Sequence, residues 1–104
     1  MKIQVNTDNN IQGRESLAER VEHTVRQKLG HFSEHITRIE VHLRDENAHK
    51  GGQDKNCTME ARIEGLKPVA VSDRADILST AIDGATEKMK AALQTTIGRR
   101  NNKR

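Results

Sequence analysis

Residues 76–97 read DILSTAIDGATEKMKAALQTTI, and their apolar residues return at the spacing of one helix face. The apolar residues that follow this spacing are Ile77, Leu78, Ala81, Ile82, Ala85, Met89, Leu93 and Ile97. Because residues three and four apart lie on the same side of a helix, the run predicts one long helix that packs by a single stripe. We expect Ser72 or Asp73 to cap this helix and Asp76 to lie in its first turn, where negative charge is favourable.

A cluster of basic residues follows the apolar stripe in the sequence. Residues 98–104 read GRRNNKR and contain no acidic residue. From Arg74 to Arg104 there are seven Lys and Arg against three Asp and Glu, while the net charge of the whole chain is only +3. A helix that packs by one face and ends in basic residues suggests an anionic partner. We therefore predict a single domain over residues 1–97, followed by a basic flexible tail over residues 98–104.

Two kinds of periodicity indicate the elements upstream. Alternation of polar and apolar residues predicts strands at residues 2–6, 38–44 and 57–64. A short fourth strand at Val69 and Val71 follows Pro68, which cannot donate to a sheet ladder and so predicts an edge strand. From Arg14 to Leu29 an apolar residue returns every four positions, which predicts an amphipathic helix.

The predicted order is β-α-β-β-β-α, an α+β fold in which a four-stranded sheet carries two helices on one face. The first two strands are expected to be parallel, because a helical crossover joins them, and the others form a meander. Each strand has one apolar face and each helix one apolar stripe, so both helices cover the same face of the sheet. We expect Val41, Met59, Ile82 and Met89 to be buried between these layers.

Composition narrows the classes of function. Apolar residues make up 33% of the chain and Phe32 is its one aromatic residue. Strand aromatics that stack unpaired bases are therefore missing, and RNA would be recognised by shape and phosphate. A single cysteine, Cys57, excludes a disulfide framework. No apolar run approaches a membrane span and residues 1–6 resemble no signal peptide, so we expect a cytoplasmic protein without membrane contact. We expect no cofactor and no DNA partner, and a monomer is favoured.

No catalytic or metal-binding constellation emerges from the sequence. His31 and His35 are four residues apart, whereas Cys57 and His42 are predicted on opposite faces of the sheet. A buried thiol is usually inert, and the chain has no Gly-rich phosphate loop. We therefore expect a protein that is not an enzyme. A small enzyme or metal protein that uses His31, His35 or His42 stays open as an alternative from another class.

Several segments together carry a family pattern. They are Leu17, Val21 and Lys28-Leu29 in the first helix, His31-Phe32, residues 39–43, residues 76–83 and Lys88-Met89. With these residues the chain resembles the short ribosome hibernation promoting factor family, also called ribosome-associated inhibitors or ribosomal subunit interface proteins. The resemblance covers nearly the whole chain. It implies a bacterial protein that binds the small ribosomal subunit in the decoding region, where messenger and transfer RNA would lie.

The resemblance also implies how such a protein works and which residues it uses. Members occupy the channel of the small subunit during stress or slow growth, and hold 16S rRNA phosphates with basic residues on both helices. Lys28 and Lys88 match family lysines by position. Arg20, Arg26 and Lys90 join them because they lie on the same helices, and Arg99 and Arg100 because they follow the last helix. The expected rRNA-binding residues are therefore Arg20, Arg26, Lys28, Lys88, Lys90, Arg99 and Arg100. If this surface does not bind, the solvated sheet face with Arg38, Arg44 and Arg62 is the next candidate.

The chain departs from the family pattern in its last helix. Ala91 and Ala92 stand where a charged, often basic, residue is common, and Thr95-Thr96 replaces a more basic stretch. Positive charge returns only in the tail. These departures leave a second hypothesis open, a divergent RNA- or protein-binding module of the same fold that has lost strong ribosome affinity.

Overall fold

Strands and helices follow the predicted order in the part of the chain that the computed structural model describes, residues 1–8, 11, 13–46 and 54–102, the last three by backbone alone. The strands are β1 (Lys2–Thr7), β2 (Ile36–Asp45), β3 (Lys55–Ile63) and β4 (Val69–Ala75). The helices are α1 (Arg14–Leu29) and α2 (Leu78–Asn102). The predicted α+β fold is confirmed.

The four strands form one sheet in the order β1-β2-β3-β4. β1 pairs with β2 in parallel, and the remaining pairs are antiparallel, as the crossover and the meander predict. One row of apolar side chains crosses the whole sheet, because Val5 lies opposite Val41, Val41 opposite Met59, and Met59 opposite Val71. β4 is an edge strand, as Pro68 predicts.

The core lies between this apolar side of the sheet and the two helices. Val41, Met59 and Met89 are fully buried and Ile82 is 6% exposed, which confirms the expected core positions. The other side chains of β2 and β3 alternate to the opposite side of the sheet, where neither α1 nor α2 covers them. We call this side the open face. No helix among the described residues is both long and apolar enough to cross a membrane.

The start of α2 differs from the sequence prediction. Ser72 and Asp73 do not cap the helix, because β4 continues through them and pairs with β3 as far as Ala75. Asp76 lies before the first residue of the helix rather than in its first turn. Ser72 and Asp73 suit either a helix cap or an exposed strand position. Their pairing with β3 determined that they belong to the strand.

Close packing holds α2 against the edge strand. A Cβ atom on Gly84 would overlap the carboxylate of Asp73, so a side chain at this position of the helix would require that carboxylate, the partner of Lys88, to move. At the other end, α2 continues past Ile97 to Asn102, and residues 98–102 of the expected tail are helical. The division into a domain and a flexible tail stays a prediction.

Candidate nucleic-acid interface

α1 and α2 lie side by side over the sheet and form the outer surface opposite the open face. We call this surface the helix layer. A groove of about 420 Å³ separates the first half of α1 from the start of α2. Arg20 and Thr24 line it from α1 and Asp83 from α2, and Ile77, the residue before α2, is 58% exposed at the rim. Further along the two helices, Lys28 Nζ on α1 lies 3.8 Å from Glu87 Oε2 on α2.

Three of the expected RNA-binding cations already have carboxylate partners. Arg26 binds Glu22 one turn earlier on α1 at 3.2 Å, and Lys28 faces Glu87. Lys88 Nζ donates to the Asp73 carboxylate at 3.1 Å and to the Ser72 carbonyl oxygen at 2.9 Å. The two lysines that match the family by position are therefore both partly neutralised.

Three other expected cations have no ion pair with any described residue. They are Arg20, Lys90 and Arg99. The side chains of Arg20 and Arg99 are exposed and that of Lys90 is half-buried. Arg100 lies in α2, but its side chain is not among those described. Unpaired cations keep their full charge for an anionic partner, so these residues are the stronger phosphate-binding candidates within the helix layer.

The expected residues do not form one patch. Lys88 and Lys90 are two residues apart, which turns their side chains about 200° from each other around the helix axis. Lys88 faces β4. Asp83 and Glu87 face α1, and Lys90, seven and three residues after them, shares their side of the helix by its spacing. Arg99, eleven residues after Lys88, returns to within about 20° of it. The cations therefore divide between the groove side and the β4 side of α2.

The remaining reactive groups are placed for structure rather than chemistry. Burial, with a smaller contribution from Asp73, raises the pKa of the Cys57 thiol to about 12, which leaves it protonated and inert. The Lys55 ammonium lies between the carboxylates of Asp45 and Asp54, and its hydrogen bond to Asp54 raises the pKa of Lys55. Among the described residues, no three His, Cys, Asp or Glu side chains come together as metal ligands.

The open face also carries positive charge, and its arrangement was not predictable from sequence. Arg38, Arg44 and Arg62 lie on it as expected, and Lys2 and Arg74 join them. Each of these residues is an ordinary polar position of a strand in sequence. Their neighbourhood depends on strand register, for which a single sequence gives no signal where both partners are polar.

Comparisons with known proteins agree with this architecture. The sequence profile of the Sigma 54 modulation protein / S30EA ribosomal protein family matches residues 3–101. Among solved structures, a ribosomal subunit interface protein from Coxiella burnetii superposes with a TM-score of 0.74 at 16% identity, over 94% of this chain and 99% of the other. The N-terminal domain of Protein Y from Thermus thermophilus gives a TM-score of 0.72 at 18% identity, over 92% and 99%. No curated protein sequence matches significantly.

Proposed function

Because the chain belongs to the Sigma 54 modulation protein / S30EA ribosomal protein family, we propose that it binds 16S rRNA of the small ribosomal subunit and inhibits translation there. Membership of this family supports ribosome binding, hibernation and regulation of translation. In our proposal the domain occupies the decoding region under stress or slow growth and excludes messenger and transfer RNA by its volume. It works in the cytoplasm as a binding protein rather than an enzyme, and needs no cofactor.

The extent of the family match is the observation that carries this proposal. The match includes both helices and all four strands except the end residues Lys2 and Asn102, so the cations of the helix layer lie inside it. Arg20, Lys90 and Arg99 have no carboxylate partner among the described residues. Lys and Arg side chains bind RNA phosphates by displacing condensed counterions, which requires charge and exposure but no special spacing.

Paired cations contribute less in this mechanism. Lys28 and Lys88 must release Glu87 and Asp73 before they bind phosphate. Exposed ion pairs contribute about 0–1 kcal/mol, so the exchange is feasible but reduces the gain from each contact. We therefore assign the main phosphate contacts to Arg20, Lys90 and Arg99, and a supporting part to the paired residues.

Co-sedimentation with purified small subunits at low and high salt tests the proposal. The wild-type protein should bind at low salt and be released steeply as salt rises. The triple variant Arg20→Gln/Lys90→Gln/Arg99→Gln should bind weakly and fail to inhibit translation in vitro. Lys67→Gln, which removes an exposed cation from the turn before Pro68, is the control and should behave as wild type. Absence of binding at low salt would exclude the ribosome as partner.

The ion pairs of Lys28 and Lys88 favour one alternative, a divergent module that keeps the fold and binds another RNA or a protein. Both family-matched lysines are occupied, and Ala91 and Ala92 add no charge. Competition separates the two functions. If the protein binds a structured non-ribosomal RNA as tightly as small subunits, the alternative is favoured. A clear preference for small subunits favours the ribosomal function.

A further inference from the structure

The open face of the sheet carries its charges in rows rather than at random. In the first row, Lys2 lies opposite Arg38 and Arg38 opposite Arg62, so three cations cross β1, β2 and β3 side by side. At the other end of the sheet, Arg44 and Arg74 flank Asn56 in one row, where Glu46 accepts hydrogen bonds from both Arg74 and Asn56 and leaves Arg44 without an ion pair to any described residue. Neighbouring strands are about 4.8 Å apart, so cations within a row are close neighbours.

Two further rows lie between these basic rows. Next to the first basic row, Glu40 lies opposite Glu60, and the row after it contains His42 and Thr58. Rows follow each other at about 6.6 Å along the strands, which puts the outer basic rows about 20 Å apart. Each glutamate of the acidic row neutralises part of the charge of the neighbouring basic row. Glu40 Oε2 lies 3.0 Å from Arg38 Nη2, and Glu60 pairs with Arg62.

Like charges placed directly opposite each other destabilise a sheet. A polar face that served only solubility would gain by placing acids opposite bases across the strands. Here cations oppose cations, and the ion pairs run along the strands and diagonally instead, as between Arg62 and Glu60 at 3.5 Å. The described side chains of this face, together with Glu46, which binds Arg74 and Asn56 from just past β2, include five Lys or Arg and three Glu, which leaves an excess of two positive charges on one side of the sheet.

The same face lacks what a protein partner would bury. Protein interfaces are centred on aromatic or large apolar anchors. Ala70 is the one apolar side chain that the described strands direct to this side, and the rest are charged, amide, hydroxyl or imidazole groups. Phosphate and sugar contacts, in contrast, use Lys, Arg, Asn, Ser and Thr side chains. The face therefore fits RNA backbone better than it fits protein.

We propose that the open face is a second RNA-binding surface. The two outer basic rows hold phosphates, and the acidic row of Glu40 and Glu60 repels phosphates from the part of the face beside the first basic row. Together with the helix layer, the open face would hold the domain between RNA segments on its two sides. This inference rests on the proposed ribosome binding and adds a second contact surface to it.

Salt-dependent binding to small subunits tests the two surfaces separately. The open-face variant Arg44→Gln/Arg62→Gln removes one exposed cation from each basic row. If both hold phosphates, the slope of log affinity against log salt should fall by about two units. The ratio of affinities at about 50 mM and about 200 mM salt should then be about 16-fold smaller than for wild type. Lys67→Gln is the control outside both surfaces and should keep the wild-type slope.

An opposite change on the same face sharpens the test. Glu60→Gln removes a negative charge beside Arg62, and should tighten binding at low salt if phosphates lie nearby. The helix-layer variant Arg20→Gln/Lys90→Gln is measured in parallel.

Three outcomes would overturn the inference. If the open-face variant keeps wild-type affinity and slope while the helix-layer variant is weakened, ribosome binding stands and the second surface does not exist. If the open-face variant is weakened with an unchanged slope, the contact is with protein rather than phosphate. If the wild-type protein does not bind small subunits, the proposed function fails first and the inference fails with it.

Discussion

Lys88 and Lys90 should behave differently when each is replaced by glutamine, although they are two residues apart on one helix. Lys88 Nζ contacts Asp73 and the Ser72 carbonyl, and so fastens α2 to the edge strand β4. Lys90 has no ion pair with any described residue. Lys88→Gln should therefore lower the stability of the fold, whereas Lys90→Gln should lower affinity for the ribosome and leave stability unchanged.

The expected magnitudes follow from these contacts. The side chain of Lys88 is 55% exposed and that of Asp73 26% exposed, so water screens their attraction. An exposed pair of this kind contributes about 0–1 kcal/mol, and we expect Lys88→Gln to lower the free energy of unfolding by up to about 1 kcal/mol. The same cost opposes any transfer of Lys88 from Asp73 to a phosphate, and reduces its contribution to affinity by up to about fivefold. Lys90 bears no such cost.

Urea denaturation and salt-dependent binding to small subunits together measure both effects. Lys90→Gln should keep the wild-type urea midpoint and lose about one unit of salt slope. Lys88→Gln should move the midpoint downward and lose less affinity. Asp73→Asn removes the partner of Lys88 without touching the lysine, and should lower stability while slightly increasing affinity. If Lys88→Gln keeps full stability and loses as much affinity as Lys90→Gln, the ion pair with Asp73 does not limit phosphate binding by Lys88, and the reasoning is refuted.

Four further predictions concern the core, the packing of α2, the tail and the thiol. Ile82→Ala should destabilise by about 2–4 kcal/mol in thermal melts, and no loss of stability would mean that the helix stripe is misassigned. Gly84→Ala should destabilise although alanine favours helices, because its Cβ overlaps the Asp73 carboxylate; adding Asp73→Ser should recover stability, and failure to do so would contradict the close approach. Truncation after Ile97 removes Arg99 together with the end of α2, and should reduce the salt slope by about one unit for each phosphate that this segment neutralises in the wild-type complex; an unchanged slope would remove Arg99 from the main contacts. Cys57, whose folded pKa is raised from 9.0 to about 12, should contribute stability that is fully present below pH 9 and lost as the pH rises towards 12; denaturation of Cys57→Ala should lack this decline, and an equal decline in the variant would assign it to other groups.

Local periodicity in the sequence was sufficient for the elements and for the core. Alternation in β2 and β3 and the stripe through Ile82 and Met89 each depend on neighbouring residues, so both the strands and the buried positions were predicted correctly. The parallel first pair followed from chain connectivity, since a helix separates the two strands. The start of α2 was predicted wrongly, because Ser72 and Asp73 suit a cap and an edge strand equally well.

Tertiary structure alone determined which charges meet. Lys88 lies 15 residues from Asp73 in the chain, and Arg38 lies 24 residues from Arg62, yet each pair is adjacent in the fold. No local pattern encodes such neighbours, because polar side chains on an exposed face satisfy the alternation of a strand in any order. The sequence by itself therefore determined where charge is exposed. The strand register and the approach of α2 to β4 decided which cations are neutralised, which stay unpaired, and which stand side by side in rows.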